Sequence, residues 1–299
     1  MKKLTVSIGI PAYNEEGNIK YLVEELLKQR IANAVLLEII VVSDGSSDST
    51  VNLVRSIRSS KVKIVDRKKR LGLNRTQNEI LSLTSGDILV LMDADVLPLN
   101  NFLQNIISPI LRDKKVGLVG ADIVSAKPRT FFEKVISDSH DFKYSIYRTL
   151  NGGDNAYVCH GRASAFSKAL YSKVKWPDYP AEDVFAYLTC IESGYKFVFA
   201  KNAQVLFRLP GSLGDHIKQS QRFFGEKAKM ERYFSAKLVR ERFYIPWHII
   251  VISLIKSFIR NPLTISIYLT VLIYIRFVLS RFYGERSQWK MSMSTKIIK

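Results

Sequence analysis

Four groups of polar residues in this 299-residue chain have the types and spacing to do chemistry. Asp93-Ala94-Asp95 directly follows an apolar run. Acids two apart in an extended segment point the same way, so both carboxylates can face one ion. Hard oxygen ligands suit Mg2+ or Mn2+. Such an ion clamps a diphosphate and absorbs charge as it leaves; a plain acidic turn is the competing reading. Asp44 ends a second apolar run in VVSDGSSDS. Its carboxylate can accept a hydrogen bond from a base N–H while Gly45 turns the chain sharply. A simple turn with a helix cap fits the same residues equally well. Glu182-Asp183 opens a helical pattern. Asp183 can take a proton from a hydroxyl, or the acids can stabilise the first turn of their helix. Gln219, Arg222 and Phe223 fall within five residues. Arg222 can grip phosphate with two prongs and Phe223 can pack on a sugar face; the alternative is a basic amphipathic helix lying on lipid headgroups.

These groups need elements to position them, and the first hundred residues alternate strand and helix patterns. TVSIGI is a strand ended by Pro11, and LLEIIVV (36–42) is a buried strand ended by Ser43-Asp44-Gly45. KVKIV and DILVLM (87–92) are the third and fourth strands. Helical spacing occupies 15–29, 50–57 (capped by Ser46 or Ser47) and 74–83. Continuous apolar strands between helices predict a mostly parallel sheet covered on both faces, an α/β, Rossmann-like architecture. Ligands of such sheets bind beyond the carboxyl ends of the strands, where the polar groups sit. The middle, 117–207, mixes strands (VGLVGA, KFVFA, AQVLF) with helices and reads as part of the same domain. Residues 215–242 read as one basic helix, followed by two apolar segments.

Composition narrows the classes. With 47% hydrophobic residues the chain can build one sizeable core with an appendage. Domain limits are expected at 1–225 and 226–299. The N-terminal apolar run is too short, and too soon followed by Glu15 and Glu16, for an export signal. Two cysteines, Cys159 and Cys190, make no disulfide framework and fit a reduced compartment. The net charge is +18, and from residue 201 onward 18 Lys/Arg face 5 Asp/Glu. Basic charge suits nucleic acid, anionic lipid or a phosphorylated ligand. Here it flanks the most apolar stretch, with no nucleic-acid motif, so the expectation is a membrane surface and no nucleic acid.

Taken in order, the motifs resemble family 2 glycosyltransferases of the GT-A fold, over roughly 4–225. IPAYNEEGNI resembles the family's opening strand and nucleotide turn. IIVVSDGSSDST resembles V-V-D-D-G-S-x-D-x-T, and GDILVLMDADVLP resembles the D-x-D strand. GRASAFSKAL (161–170) resembles the G-x-x-x-A-F segment, and AED the E-D element. LPGSLGDHIKQSQRFFGEK resembles the Q-x-x-R-W region of cellulose- and hyaluronan-type synthases.

The resemblance implies an inverting, metal-dependent hexosyltransferase using a UDP- or GDP-sugar, with Mg2+ or Mn2+ as cofactor. It implies that Pro11, Tyr13 and Glu15 line the nucleotide pocket and that Asp44 contacts the base. Asp93 touches ribose or metal, and Asp95 ligates the metal. Asp183 is the general base beside Glu182, and Gln219 and Arg222 bind the diphosphate. Three departures stand out: Ser43 replaces the first Asp of D-D-G, Phe223 replaces the usual Trp, and Leu97 stands where polyprenyl-phosphate mannose synthases often carry a Gln ligand. A non-catalytic scaffold keeping the fold is the alternative, but it would have shed acids that are all retained here.

The segment 263–280 has 18 residues, about 27 Å as a helix and just enough to cross a hydrocarbon core. The earlier segment, 243–259, is interrupted by Pro246, His248 and Lys256. Positive residues flank both sides: Lys237, Arg240 and Arg242 before, and Arg281, Arg286, Lys290, Lys296 and Lys299 after. Nucleotide sugars are cytosolic, so a single span would carry the basic tail to the wrong side. A helical hairpin or an in-plane anchor at the cytoplasmic face is therefore expected, with an apolar helix pair packed on the protein as the alternative. So few segments do not form a polymer channel. Transfer of one sugar to a lipid-linked or cell-surface glycan acceptor, in cell-wall or polysaccharide biosynthesis, is the expected activity.

Overall fold

A computed structural model describes residues 3–178, 181–223, 225–278 and 295. Chain packing divides it into two compact units. The first holds the chain up to Val124 and Cys159–Phe207; the second holds Ser125–Val158 and Arg208–Thr295. Residues 125–158 thus group with the C-terminal helices, across the expected sequence limit at 225/226.

The first unit is built on an eight-stranded sheet. Its strands are β1 (Leu4–Ala12), β2 (Ala34–Ser43), β3 (Val62–Asp66), β4 (Ile88–Met92), β5 (Val96–Pro98), β6 (Val116–Ser125), β7 (Ala163–Ser167) and β8 (Lys196–Phe207). They lie in the order β3-β2-β1-β4-β7-β6-β8-β5. Around them run α1 (Ile19–Lys28), α2 (Thr50–Arg55), α3 (Leu73–Leu83) and α4 (Phe102–Arg112). In the second unit follows α5 (Phe131–Tyr147), and in the first α6 (Lys168–Tyr171) and α7 (Glu182–Glu192). The expectation of a mostly parallel sheet needs correction. β3, β2, β1 and β4 are parallel, but β7 is antiparallel to both β4 and β6, and β5 to β8. A continuous apolar run reports burial on both faces and carries no sign of direction. KFVFA and AQVLF, read as two strands, are one twelve-residue strand, β8.

The core follows the patterns that predicted it. All five residues of β4 are buried, as are Val6, Ile8 and Ile10 of β1. α1 buries Ile19, Leu22, Val23 and Leu26, a single helical stripe. Each such side chain contributes roughly 1.5–3 kcal/mol by leaving water. The N-terminus of α2 is held by Asp48, whose carboxylate accepts from the Thr50 N–H at 3.0 Å, and its N-cap position is Ser49 rather than Ser46 or Ser47. Gly9 marks where β1 and α3 touch. A Cβ there would stand 2.3 Å from the Ile80 Cγ2 and 2.9 Å from the Leu91 Cδ2. Both neighbours are buried, so Gly9→Ala is expected to cost about 1–3 kcal/mol, read as a lower urea midpoint at unchanged slope.

In the second unit, α5 packs against two apolar helices, α11 (Trp247–Arg260) and α12 (Pro262–Ile273). Buried Asp138 of α5 accepts from the Thr264 hydroxyl at 2.6 Å and pairs with Lys134. Lys143 donates to the Tyr268 hydroxyl at 3.0 Å. His216 lies edge-on to Phe132 and Tyr268, and burial, then the Lys143 charge, pushes its pKa down to about 4. The single basic helix expected over 215–242 is three helices: α8 (Leu213–Arg222), α9 (Glu226–Met230) and α10 (Ala236–Arg242). Gly225, in the left-handed region at φ 69°, separates the first two, and Ser235 caps the third.

No residue of α11 is buried, and Trp247 and Ile259 are 73% and 77% exposed. Taken as one helical stretch of 25 residues, Ala236–Arg260 is long and apolar enough to cross a membrane, although its backbone turns between α10 and α11. Pro262–Phe277 is shorter. Among the described residues the longer candidate is therefore the earlier stretch, because α10 extends it N-terminally; the expected segment 263–280 runs past the described residues. Residues 279 and 280 and the basic Arg281, Arg286, Lys290, Lys296 and Lys299 lie outside the described residues.

Candidate active site

The first unit gathers its acids at the carboxyl end of β4. Pairing of Met92 with Ala163 brings the residues before β7 alongside Asp93. The Asp93 N–H donates to the Arg162 carbonyl at 2.9 Å. Ala94 and Asp95 form a turn, so the pair is not oriented by strand alternation as the sequence suggested. The two carboxyls nevertheless act on each other. Burial first, then the Asp95 charge, pushes the Asp93 pKa up to about 8. Arg162 pulls it back, and Asp183 and Glu15 push it further up. Four acids from three segments thus share one field with one arginine.

Asp183 lies in the first turn of α7. One carboxylate oxygen accepts from the Val184 N–H at 2.7 Å and the other from the Gly161 N–H at 3.2 Å. Burial outweighs these bonds and the Arg162 charge, so the Asp183 carboxyl titrates above its ordinary range. Glu182 is held from its backbone: the Trp176 indole N–H donates to its carbonyl at 2.8 Å. Its carboxylate passes close to Gly161, where a Cβ would meet Oε1 at 2.7 Å. The Arg162 guanidinium rests on the Phe207 ring at 4.1 Å. Nearby Cys159 is buried, and burial, then Asp183, raises its thiol well above the usual value.

A second cluster surrounds the turn after β1. Pro11 is half-buried, and Asn14 adopts a left-handed backbone at φ 52°. The Asn14 side chain accepts from the Ser47 N–H at 2.8 Å, and the Glu15 N–H donates to the Thr50 hydroxyl at 2.7 Å. Tyr13 carries the Arg70 guanidinium over its ring at 4.1 Å. Asp44 is buried and is met by the loop after β3. Its Oδ1 accepts from the Leu71 N–H at 2.8 Å and from Arg67 at 3.1 Å, and its Oδ2 from the Gly72 N–H at 2.8 Å. Gly45, at φ +75°, lets this loop approach: a Cβ there would lie 2.8 Å from the Arg70 nitrogen.

Pro11, Tyr13, Glu15, Asp44, Asp93, Asp95, Glu182 and Asp183 all belong to the first unit. Gln219 and Arg222 lie on α8 of the second, with Gln219 half-buried and Phe223 61% exposed at the helix end. Sequence reasoning missed Arg67, Arg70 and Arg162. The run Arg67-Lys68-Lys69-Arg70 directly follows a strand end, which was a usable signal. Among the described residues no group of three or more His, Cys, Asp and Glu side chains is arranged to hold a metal. Asp93 and Asp95 offer two hard oxygen ligands in a site that repels its own negative charge. That suits a Mg2+-like ion, which takes one or two carboxylates and leaves other positions to phosphate oxygens and water.

Comparison with known proteins places these features in a family. The family model described as "Glycosyl transferase family 2" matches residues 7–175. The chain is 32% identical over 113 residues to the Escherichia coli UDP-Glc:alpha-D-GlcNAc-diphosphoundecaprenol beta-1,3-glucosyltransferase WfgD, covering 38% of this chain and 44% of that one. It is 32% identical over 140 residues to the dolichol-phosphate mannosyltransferase of Pyrococcus furiosus, covering 45% and 38%. The chain spans a third to about half the length of the curated relatives it matches. Among solved structures, the mannosyltransferase PcManGT of Pyrobaculum calidifontis, in complex with GDP-Man and Mn2+, superposes with a TM-score of 0.65 at 22% identity, covering 95% of this chain and 77% of that one. That likeness establishes the fold, which is GT-A.

Proposed function

The chain belongs to glycosyl transferase family 2, and on that footing we propose that it moves a sugar from a UDP- or GDP-sugar, with inversion, to a lipid-linked or cell-surface glycan acceptor at a membrane. The observation that carries this reading is the gathering of Asp95, Asp183, Glu15 and Arg162 about Asp93 at the end of β4. Pro11, Tyr13, Glu15 and Asp44 line the nucleotide side. Asp93 and Asp95 would hold Mg2+ or Mn2+, which when bound neutralises the donor diphosphate as it departs. The family resemblance alone assigns Gln219 and Arg222 to the diphosphate.

Asp183 accepts the proton of the acceptor hydroxyl. Its raised pKa suits this, because a base is most useful when its pKa lies near the working pH. The Gly161 and Val184 N–H groups fix both of its oxygens, so the carboxylate is oriented before an acceptor arrives. Glu182 holds the acceptor side beside it. The α11 surface lies on the cytoplasmic leaflet, where its basic flanks meet anionic headgroups and the acceptor's lipid. Family relatives named for undecaprenol- and dolichol-linked substrates support that acceptor class.

The test is nucleoside diphosphate release from a panel of UDP- and GDP-sugars, with Mn2+ or Mg2+, in mild detergent. Release from one donor, dependent on metal and lost in Asp95→Ala, is the expected result. No release and no nucleotide-sugar binding would leave a scaffold that has kept the fold.

A further inference from the structure

We infer that Trp176 is a positioning residue for the proposed general base: its indole, fixed by Asn78 of α3, holds the first turn of α7 and with it the Asp183 carboxylate. The catalytic half of this inference rests on the sugar-transfer reading; the tether itself is independent of any substrate.

The tether runs from α3 to α7 through short bonds within the first unit. Asn78 meets both backbone groups of Trp176. Its amide N–H donates to the Trp176 carbonyl at 2.7 Å, and its amide oxygen accepts from the Trp176 N–H at 3.0 Å. One turn earlier on the same face of α3, Asn74 donates to the Pro177 carbonyl at 2.7 Å. Beside it, Arg75 grips the Asp178 carboxylate with two N–H groups, at 2.8 and 2.7 Å. One helix thus holds three consecutive residues, 176–178. With its backbone fixed, the indole is aimed. Trp176 is buried, lies edge-on to the Phe166 ring at 6.2 Å, and donates its N–H to the Glu182 carbonyl at 2.8 Å.

The choice of that carbonyl is what gives the bond a consequence. It belongs to the planar peptide that joins Glu182 to Asp183, so holding it holds the plane from which the Asp183 side chain departs. The first turn of α7 needs such help. It begins after Ala181, whose side chain cannot cap it. Uncapped helix ends are the first parts of a fold to open. A buried tryptophan can also be plain core filler with a satisfied N–H. Filler would matter for stability alone, whereas a tether matters for the base it aims.

The test compares the native full chain, in mild detergent, with Trp176→Phe and Asn78→Ala. Trp176→Phe keeps an aromatic ring and removes the N–H. Asn78→Ala leaves the indole in place and frees its backbone, and it carries the same test if Trp176→Phe does not fold. Deuterium exchange is measured first, without substrate. In both variants the amides of Val184, Phe185 and Ala186 are expected to exchange roughly 10- to 100-fold faster, while β4 and the second half of α7 keep native rates. Nucleoside diphosphate release is then measured with water as acceptor, on the donor that the sugar-nucleotide panel identifies. Each variant is expected to lower kcat roughly 10- to 100-fold, as misplacement of a reacting group does, with donor KM within about twofold of native. In an Asp183→Asn background the same substitutions are expected to change kcat less than about twofold, because residues that act as a unit are not additive. Native exchange at 184–186 in both variants overturns the tether. Faster exchange with native kcat, or an equal loss of kcat with and without Asp183, overturns the positioning role. If no donor is turned over, or Asp183→Asn works at the native rate, the reading of Asp183 fails and the exchange result still decides the tether.

Discussion

Asp183→Asn is expected to lower the turnover of sugar transfer by about 100- to 10,000-fold, the usual span for removing a positioned general base. The substitution keeps the size of the side chain and one acceptor for the N–H groups of Gly161 and Val184. It removes the only atom set proposed to take the hydroxyl proton. Donor KM is expected to move little, since Asp183 is assigned to the acceptor. The pH profile is the sharper readout. Burial lifts the Asp183 carboxyl above its ordinary range, so the acid limb of native turnover lies higher than a free carboxylate would place it. Activity rises with pH through that limb as the base loses its proton, and the limb disappears in the variant. Turnover within threefold of native, with the limb retained, assigns the proton to another group.

Asp95→Ala is expected to reduce metal-dependent donor binding and turnover by about 1,000-fold, the equivalent of several kcal/mol of lost charge stabilisation. The neighbouring Asp93 adds a proton signature. With its pKa pushed up to about 8 by burial and by Asp95, its carboxyl is mostly protonated at neutral pH. A cation arriving at the pair must displace that proton. Mn2+ affinity is therefore expected to rise about tenfold per pH unit below 8 and to level off above it. Calorimetry in buffers of different ionisation enthalpy reads the released proton. Removing Asp95 removes a charge that raises the Asp93 pKa, so proton release shrinks together with affinity. Equal Mn2+ affinity at pH 6 and pH 8 would show that the pair does not hold the ion.

The parallel half of the sheet was legible because its strands are short apolar runs stopped by Pro11, Ser43-Asp44-Gly45 and Asp93. Each stop signal includes a residue proposed for the site, so the elements and the candidate site were read together. The antiparallel half was not legible. β7 carries ASAFS, and no local property of those residues tells the strand to run against β4. The arginines were hidden for a related reason. Arg67 meets Asp44 across 23 residues of sequence, and Arg162 reaches Asp93 only through the pairing of β4 with β7. Such partners are products of the fold, and no spacing rule encodes them. The broken helix after α8 could have been read from Gly225, whose left-handed backbone ends helical runs.

The hydroxyl bond between Thr264 and Asp138 bears on how the chain can be handled. The usual route to a water-soluble form of such a protein is to cut off the apolar C-terminus. Here the cut would remove Thr264 and Tyr268, leaving Asp138 and Lys143 of α5 short of partners and exposing the flank of His216. For buried Asp138, which would keep only Lys134, the lost bond costs about 1–3 kcal/mol, a large part of a marginal stability. A shortened chain is therefore expected to come out of cells as aggregate, with the acids proposed for catalysis intact in sequence and useless in practice. Solubility is better sought by recolouring the bare face of α11: polar residues at Trp247 and Ile259, both mostly exposed, would weaken the proposed contact with lipid while every buried bond stays made.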